Sequence, residues 1–418
     1  MIEKKYSSNK GNTSPLGRIG GAIYIHIPFC KQACYYCDFH FSTSLKKKEE
    51  LVMALAKELK LRKDEFQDQT VETIYLGGGT PSLLTIEELQ FLIDTVYNNY
   101  TVTEHPEITL EANPDDLVPD RNRNSMSPRA QSRGLIFKDY KAIGINRLSI
   151  GVQSFFEDDL KIMNRAHNAL EAKQCLEEAT KYFDNITIDL IYGIPNMDLE
   201  KWNANLEMAF SFGVNHISSY ALTVEPKTAL DNFIKKGTYP PLDDHLALQH
   251  FNHLVERTAK EGFVHYEISN FGKPNYFSKH NISYWQWKPY LGIGPSAHSF
   301  NGVQRSWNIA NNTKYIQAIQ KEELPNTVEH LTLNDRYNEY IMTGLRTIWG
   351  VSFKKIANHF GQDYVQHLKM LSKKIVERGL LVISTEQSDE KSHNYILKAT
   401  PKGKFLVDGI ASELFILN

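Results

Sequence analysis

Three of the four cysteines cluster in HIPFCKQACYYCDFH, at Cys30, Cys34 and Cys37. The spacing is C-x3-C-x2-C. Thiolates are the soft ligands of zinc and of iron–sulfur clusters. A structural zinc takes four ligands, commonly as two C-x2-C pairs, and here His40 would have to complete a Cys3His set. A redox C-x-x-C exists at Cys34 and Cys37 but leaves Cys30 surplus. Three thiolates can instead hold three irons of a [4Fe–4S] cluster and leave the fourth iron open to a small ligand. Phe29, Tyr35, Tyr36 and Phe39 would wall that cluster from water, which tunes its potential through the local dielectric. Cys175, in the helical pattern LEAKQCLEEA, reads as a buried and inert thiol.

Further along, polar residues recur at the ends of apolar runs. IYLGGGTPS (74–82) offers Gly78, Gly79 and Thr80, where a backbone without Cβ atoms can approach a ligand and N–H groups at a helix start can receive a carboxylate. LEANPDD offers Glu111, NRLSIGVQSF offers Gln153, and MNRAHN offers Arg165. ITIDLIYGIP sets Asp189 inside an apolar strand, where a carboxylate is either paired in the core or lines a binding cavity.

The elements that must position these groups follow from periodicity. Six short runs rich in Ile, Val, Tyr and Thr read as strands: 22–27, 72–76, 107–111, 146–151, 186–193 and 216–224. Between them, stretches such as 46–66, 85–100 and 169–183 repeat apolar residues at three and four positions, the helix period. Strands separated by helical crossovers make a parallel sheet. Six units are too few for a closed eight-stranded barrel and predict an open, curved (β/α)6 barrel whose site lies at the C-terminal strand ends. The reactive residues fall there. VPDRNRNSMSPRAQSRG (118–134) breaks the rhythm and reads as an inserted loop; its four arginines make a basic lid over an anionic ligand the sharper alternative.

Residues 1–19 read as a loose polar arm, 20–285 as the barrel, and 286–418 as a helix-rich C-terminal domain. Two helical blocks (334–361 and 363–381), then a hairpin and a final helix, resemble a winged helix. Lys354, Lys355, Lys373 and Lys374 are the local support for DNA binding. The overall balance of 47 Lys and Arg against 49 Asp and Glu, a net charge of −2, argues against a nucleic-acid partner. No apolar run reaches the roughly 18 residues of a membrane span, and the N-terminus has no apolar signal core. A cytoplasmic protein is expected.

The cysteine spacing, with an aromatic residue before the last cysteine, resembles the cluster motif of the radical SAM superfamily. That resemblance implies that Cys30, Cys34 and Cys37 ligate a [4Fe–4S] cluster whose open iron binds S-adenosylmethionine (SAM). It also implies reductive cleavage of that cofactor to a 5′-deoxyadenosyl radical. The strand-end residues suit SAM: a carboxylate for its ammonium, an arginine for its carboxylate, Gln and Asp for its ribose.

More narrowly, YIHIPFC, YLGGGTPS, LEANP, RLSIGVQSF, NRxH and IDLIYGIP resemble the family of oxygen-independent coproporphyrinogen III oxidases and the related HemW heme chaperones, over about residues 20–418. The family implies SAM contacts by Tyr24, Tyr36, Asp38, Gly78, Gly79, Thr80, Glu111, Gln153, Arg165 and Asp189. The oxidase motif has a further cysteine where this chain has Phe39, and a longer segment before the cluster. KHNISYWQWKPYLGIGPSAHSF (279–300) carries the HNxxYW motif of the chaperone group. The chaperone reading implies heme as ligand and an acceptor protein for it, of which a respiratory, membrane-associated protein is the suggested class. Imidazole is a common axial heme ligand, which makes His280 the first candidate and His298 the reserve. The alternative function is the oxidase itself, converting propionates to vinyls.

Overall fold

The computed structural model describes residues 19–66, 68–118, 134–389 and 392–417. All six expected strands form: β1 (Ile19–Ile27), β2 (Gln69–Gly78), β3 (Val102–Ala112), β4 (Arg147–Gln153), β5 (Ile186–Tyr192) and β6 (His216–Ala221). They pair in parallel and in chain order. The crossovers include the helices Lys48–Leu61, Ile86–Asn99, Ala169–Ala179 and Leu199–Ser211. Apart from its end residues Val118 and Gly134, the 118–134 insertion lies outside the described residues, as does the expected arm except Ile19, where β1 begins.

Strand alternation explains the architecture. Side chains of successive strand residues point to opposite faces. Ile23 and Ile25, Ile74 and Leu76, Ile108 and Leu110, Leu148 and Ile150, and Ile186 and Ile188 share one core with Leu51, Leu55, Leu92 and Leu176 of the covering helices. The intervening residues are Tyr24, Tyr75, Thr109 and Glu111, Arg147 and Ser149, Thr187 and Asp189, His216 and Ser218. The strands thus carry an apolar outer face and a polar inner one, and the inner face lines the barrel lumen.

The sheet continues beyond the six strands. Among the described residues it has twelve. β7 (Val264–Glu267) and β8 (Asn270–Gly272) follow β6 on one side. On the other, β9 (Tyr290–Ile293) pairs in parallel with β1, followed by antiparallel β10 (His298–Phe300), β11 (Gln304–Asn308) and β12 (Asn326–His330). Runs of three to five residues are too short for periodicity to reveal. Buried Glu58 ties this extension to the first helix. It accepts hydrogen bonds from Gly294 N (2.8 Å), Asn308 Nδ2 (2.7 Å) and Tyr315 OH (2.6 Å), and Arg62 Nη1 lies 3.3 Å away.

The chain ends in helices Leu333–Leu345, Phe353–His359 and Gln362–Glu377, then a hairpin of β14 (Leu381–Asp389) and β15 (Ser392–Ala399) joined by the short β13 (Val351–Ser352). This winged-helix-like unit has its own core around Tyr337, Ile341, Leu368 and Leu397. Arg346 latches it to the barrel. Its guanidinium binds Glu267 of β7 (3.0 Å) and Asp408 (2.6 Å), and its carbonyl accepts from Ile268 N.

Candidate cluster and cofactor site

The three cysteines sit in the loop that leaves the C-terminal end of β1, and all three thiols are free and partly exposed. The loop is pinned at several points. Cys30 N donates to Ser42 O (3.1 Å), and Tyr35 N donates to Met163 O (3.1 Å). Gln32 Nε2 donates to Asn164 Oδ1 (2.9 Å), while Asn164 Nδ2 returns a bond to Ala33 O (2.7 Å). Lys31 bridges Asp115 (2.8 Å) and Asp116. Burial pushes the Cys30 thiol up to about 11 and raises that of Cys37, with the Thr80 hydroxyl, the Phe39 backbone and Arg165 opposing the rise, so without bound iron these two are thiols. A cation is at hand: Arg165 Nη1 lies 3.4 Å from Cys34 Sγ.

No three or more His, Cys, Asp or Glu side chains among the described residues converge to hold a single metal ion. The Cys3His zinc alternative thus finds no preformed site among the described residues. His40 Nε2 is instead bonded to Asn312 Oδ1 (2.7 Å). A four-iron cluster takes its thiolates from a wider ring, and this loop's donor set fits it. Of the four aromatic residues expected to wall it, Phe29 is buried and Tyr35 packs edge-on against Phe233 at 5.0 Å. Phe39 does not wall the site: it is 71% exposed. Cys175 is fully buried and plays no part.

Below the loop the predicted contacts converge. Glu111 accepts from Tyr75 OH (2.7 Å) and from Gly78 N (2.9 Å). Gly77 has no room for a Cβ between Tyr75, Tyr24 and Glu111 Oε1, and at Gly79 a Cβ would stand 2.6 Å from Phe29 O. Buried Thr80 accepts from Asn113 Nδ2 (3.1 Å). Arg165 Nη2 donates to Asn113 Oδ1 (2.7 Å) and Gly151 O (2.9 Å); Nη1 lies 3.4 Å from Tyr36 OH, and buried Nε has no partner. Gln153, at φ +64°, turns its amide toward the same point, and a Cβ on Gly151 would stand 3.0 Å from Gln153 Nε2 and 3.1 Å from Arg165 Nη2. Tyr24, Glu111 and Asp189 are the half-buried positions amid otherwise buried neighbours, as expected of groups lining a cavity. Asp38 stands apart: it is exposed beside Cys37, and among the described residues its side chain bonds to none of the other predicted contacts.

The lumen is electrostatically unusual. Burial, with the nearby charge of Glu111, raises the Asp189 carboxyl to about 7; Arg147, Arg165 and Ser218 oppose the rise. Burial likewise raises Glu111, against the donors Tyr75 and Gly78. Two carboxylates short of compensating charge are a natural receptor for a cation.

His280 lies at the opposite end of the barrel from the cysteines. Its helix, Lys279–Trp285, closes the floor, and its ring stacks on Tyr75 at 4.7 Å. Nδ1 is bonded to Thr73 Oγ1 (2.7 Å) and Nε2 to Tyr284 OH (2.8 Å). Burial, with Arg147 nearby, lowers it to about 3, so it is neutral. The expectation that His280 offers a nitrogen to heme iron does not match this arrangement, because both nitrogens are committed. His298, by contrast, is exposed on β10 with its ring stacked on Trp307 at 5.9 Å. Tyr75, Asn113 and Arg147 were absent from the expected contacts. Tyr75 and Arg147 were findable as polar residues at alternate positions of apolar strands.

Comparison with known proteins agrees with this geometry. Residues 24–209 match the radical SAM superfamily and residues 331–387 the HemN C-terminal domain. The heme chaperone HemW of Bacillus subtilis is 33% identical over 366 residues, covering 86% of this chain and 92% of that one. The Escherichia coli heme chaperone HemW is 37% identical over 283 residues, 66% of this chain and 69% of its own. The solved E. coli coproporphyrinogen III oxidase HemN superposes with a TM-score of 0.76 at 21% identity, over 95% of this chain and 90% of that one, and so shares the fold. Membership of the superfamily brings a [4Fe–4S] cluster and SAM, and the three free thiols supply the cluster's donors. Among the described residues no helix is long and apolar enough to cross a membrane. The chain belongs to the HemW family of radical SAM proteins.

Proposed function

We propose that this protein binds heme and hands it to an acceptor protein, with a [4Fe–4S] cluster on Cys30, Cys34 and Cys37 and SAM in the barrel lumen. The observation that carries the reading is the match to chains named heme chaperone across both the barrel and the C-terminal domain, 92% of the B. subtilis relative. Phe39 supports it. This apolar, exposed side chain occupies the position where the oxidase motif has a further cysteine.

When bound, the cluster and SAM supply reductive radical chemistry. The chain's own residues orient and enclose them. Arg165 neutralises negative charge at Cys34 and offers its free Nε to a carboxylate. Glu111 and Asp189 receive the cationic part of the cofactor, Asp189 taking this role in place of the ribose contact expected from sequence because its carboxyl neighbours that of Glu111, and Gly77 to Gly79 let the backbone approach the cofactor. For heme, His298 takes precedence over His280 as the iron contact. Its imidazole is exposed, and the stacked Trp307 offers a flat face to a porphyrin.

The deciding experiment incubates the anaerobic, cluster-loaded protein first with heme and then with coproporphyrinogen, SAM and reductant. Stoichiometric heme binding without vinyl product is expected. Vinyl-bearing product with SAM consumption would replace the chaperone by the oxidase.

A further inference from the structure

Arg147 opens β4 with its side chain on the inner face, and only 1% of it is exposed. An arginine keeps its proton in any protein environment, so its charge is permanent. Its Nη2 donates to Thr187 Oγ1, and its Nε has no hydrogen-bond partner. Among the described residues no carboxylate comes within salt-bridge distance of it. A buried cation without an ion pair is costly and needs a physical reason to persist.

The reason lies in the register. Arg147 pairs with Thr109 on β3, and Glu111 stands two residues further up the same inner face. Thr187 on β5 binds the guanidinium, and Asp189 stands two residues above it. Both carboxylates therefore sit one layer above the guanidinium. The neighbours below add no positive charge: burial and Arg147 keep His216 and His280 neutral. Glu107, the remaining inner carboxylate of β3, is already occupied by the backbone N–H groups of Lys279 and His280.

We propose that Arg147 is a positioning residue, the fixed counter-charge of Glu111 and Asp189, which sets the pH at which the lumen accepts a cationic ligand. For the identity of that ligand this rests on the reading of the lumen as the SAM site. The groups facing Asp189 are Tyr75 from β2, Glu111 from β3, Arg147 and Arg165 from β4 and the segment after it, and Ser218 and Tyr220 from β6. Of these, Arg147 and Arg165 are the cations, and Arg165 is engaged with Cys34 and Asn113.

The test titrates Asp189 by carboxyl ¹³C NMR in cluster-loaded, SAM-free protein, with the resonance assigned through Asp189→Asn. Arg147→Met and Arg147→Gln remove the charge, and Arg147→Lys keeps it. The neutral variants should move the Asp189 midpoint upward, from about 7 to about 8, while Arg147→Lys stays near wild type. At pH 7 the ionised fraction then falls about fivefold, and SAM affinity, read from the cluster's visible spectrum, should fall by about as much and recover by pH 9. A purely structural arginine would change melting temperature and leave the titration in place. An unmoved midpoint in either folded neutral variant overturns the proposal. A moved midpoint with unchanged SAM affinity upholds Arg147's role and overturns the SAM reading of the lumen instead.

Discussion

Arg165 Nη1 stands 3.4 Å from Cys34 Sγ while Nη2 of the same guanidinium is fixed on Asn113 and Gly151. One side chain thus joins the cysteine loop to the ends of β3 and β4. Burial raises the Cys30 and Cys37 thiols, and this cation opposes that rise, alongside the Thr80 hydroxyl at Cys30 and the Phe39 backbone at Cys37. Arg165→Ala should lower cluster occupancy with every cysteine still present, measured as iron and sulfide per chain.

The cysteine assignment is tested separately. Replacing Cys30, Cys34 or Cys37 by Ala should abolish the visible absorbance of the cluster. Cys175→Ala, buried away from the site, should retain it. Full iron content in Cys34→Ala would sink the assignment.

Gly79 supplies a steric test. A Cβ there would press on the backbone of Phe29 and Ile27, at the base of the cysteine loop. Gly79→Ala should therefore lose the cluster by displacing its loop. Gly409, with open space around its Cβ position, provides the control. Gly409→Ala, in the helix Val407–Ser412, should keep the cluster and gain up to about 1 kcal/mol of stability in denaturant unfolding.

Asp189 gives the pH dependence its sign. The folded-state carboxyl is raised, to about 7, above its unfolded value of about 3.9. Stability from this group is thus fully present below the unfolded value and is lost as pH rises through 7. Asp189→Asn should match wild type in melting temperature only near pH 4 and exceed it by a margin that widens up to about pH 7 and then holds at pH 8. SAM binding should strengthen over the same interval in wild type. Asp189→Ala should weaken it by roughly 1–3 kcal/mol, as read by calorimetry at pH 8.

For heme, His298→Ala should shift the absorption band or weaken binding. His280→Ala should chiefly destabilise the barrel floor, since it strips partners from Thr73 and Tyr284. The reverse outcome, a heme effect from His280→Ala alone at unchanged melting temperature, would restore His280 as the ligand.

The six parallel strands, their crossover helices and the cysteine loop were legible in the sequence, because alternation, helix period and ligand spacing are local properties of the chain. So was the placing of Gly78, Glu111, Gln153 and Asp189 at the inner strand ends, since each closes or interrupts a strand in a recognisable way. The extension through β9 to β12 was not legible: its strands are short, and they are held by a partner strand, β1, roughly 270 residues earlier, and by Glu58. Nor did spacing reveal that Phe39 faces solvent, that His40 turns to Asn312, or that both nitrogens of His280 are consumed. Residue type tells what a side chain can do. Which partner it meets, and whether a lone pair is left over for a ligand, depends on groups brought together from distant parts of the chain, and only the folded barrel decides that.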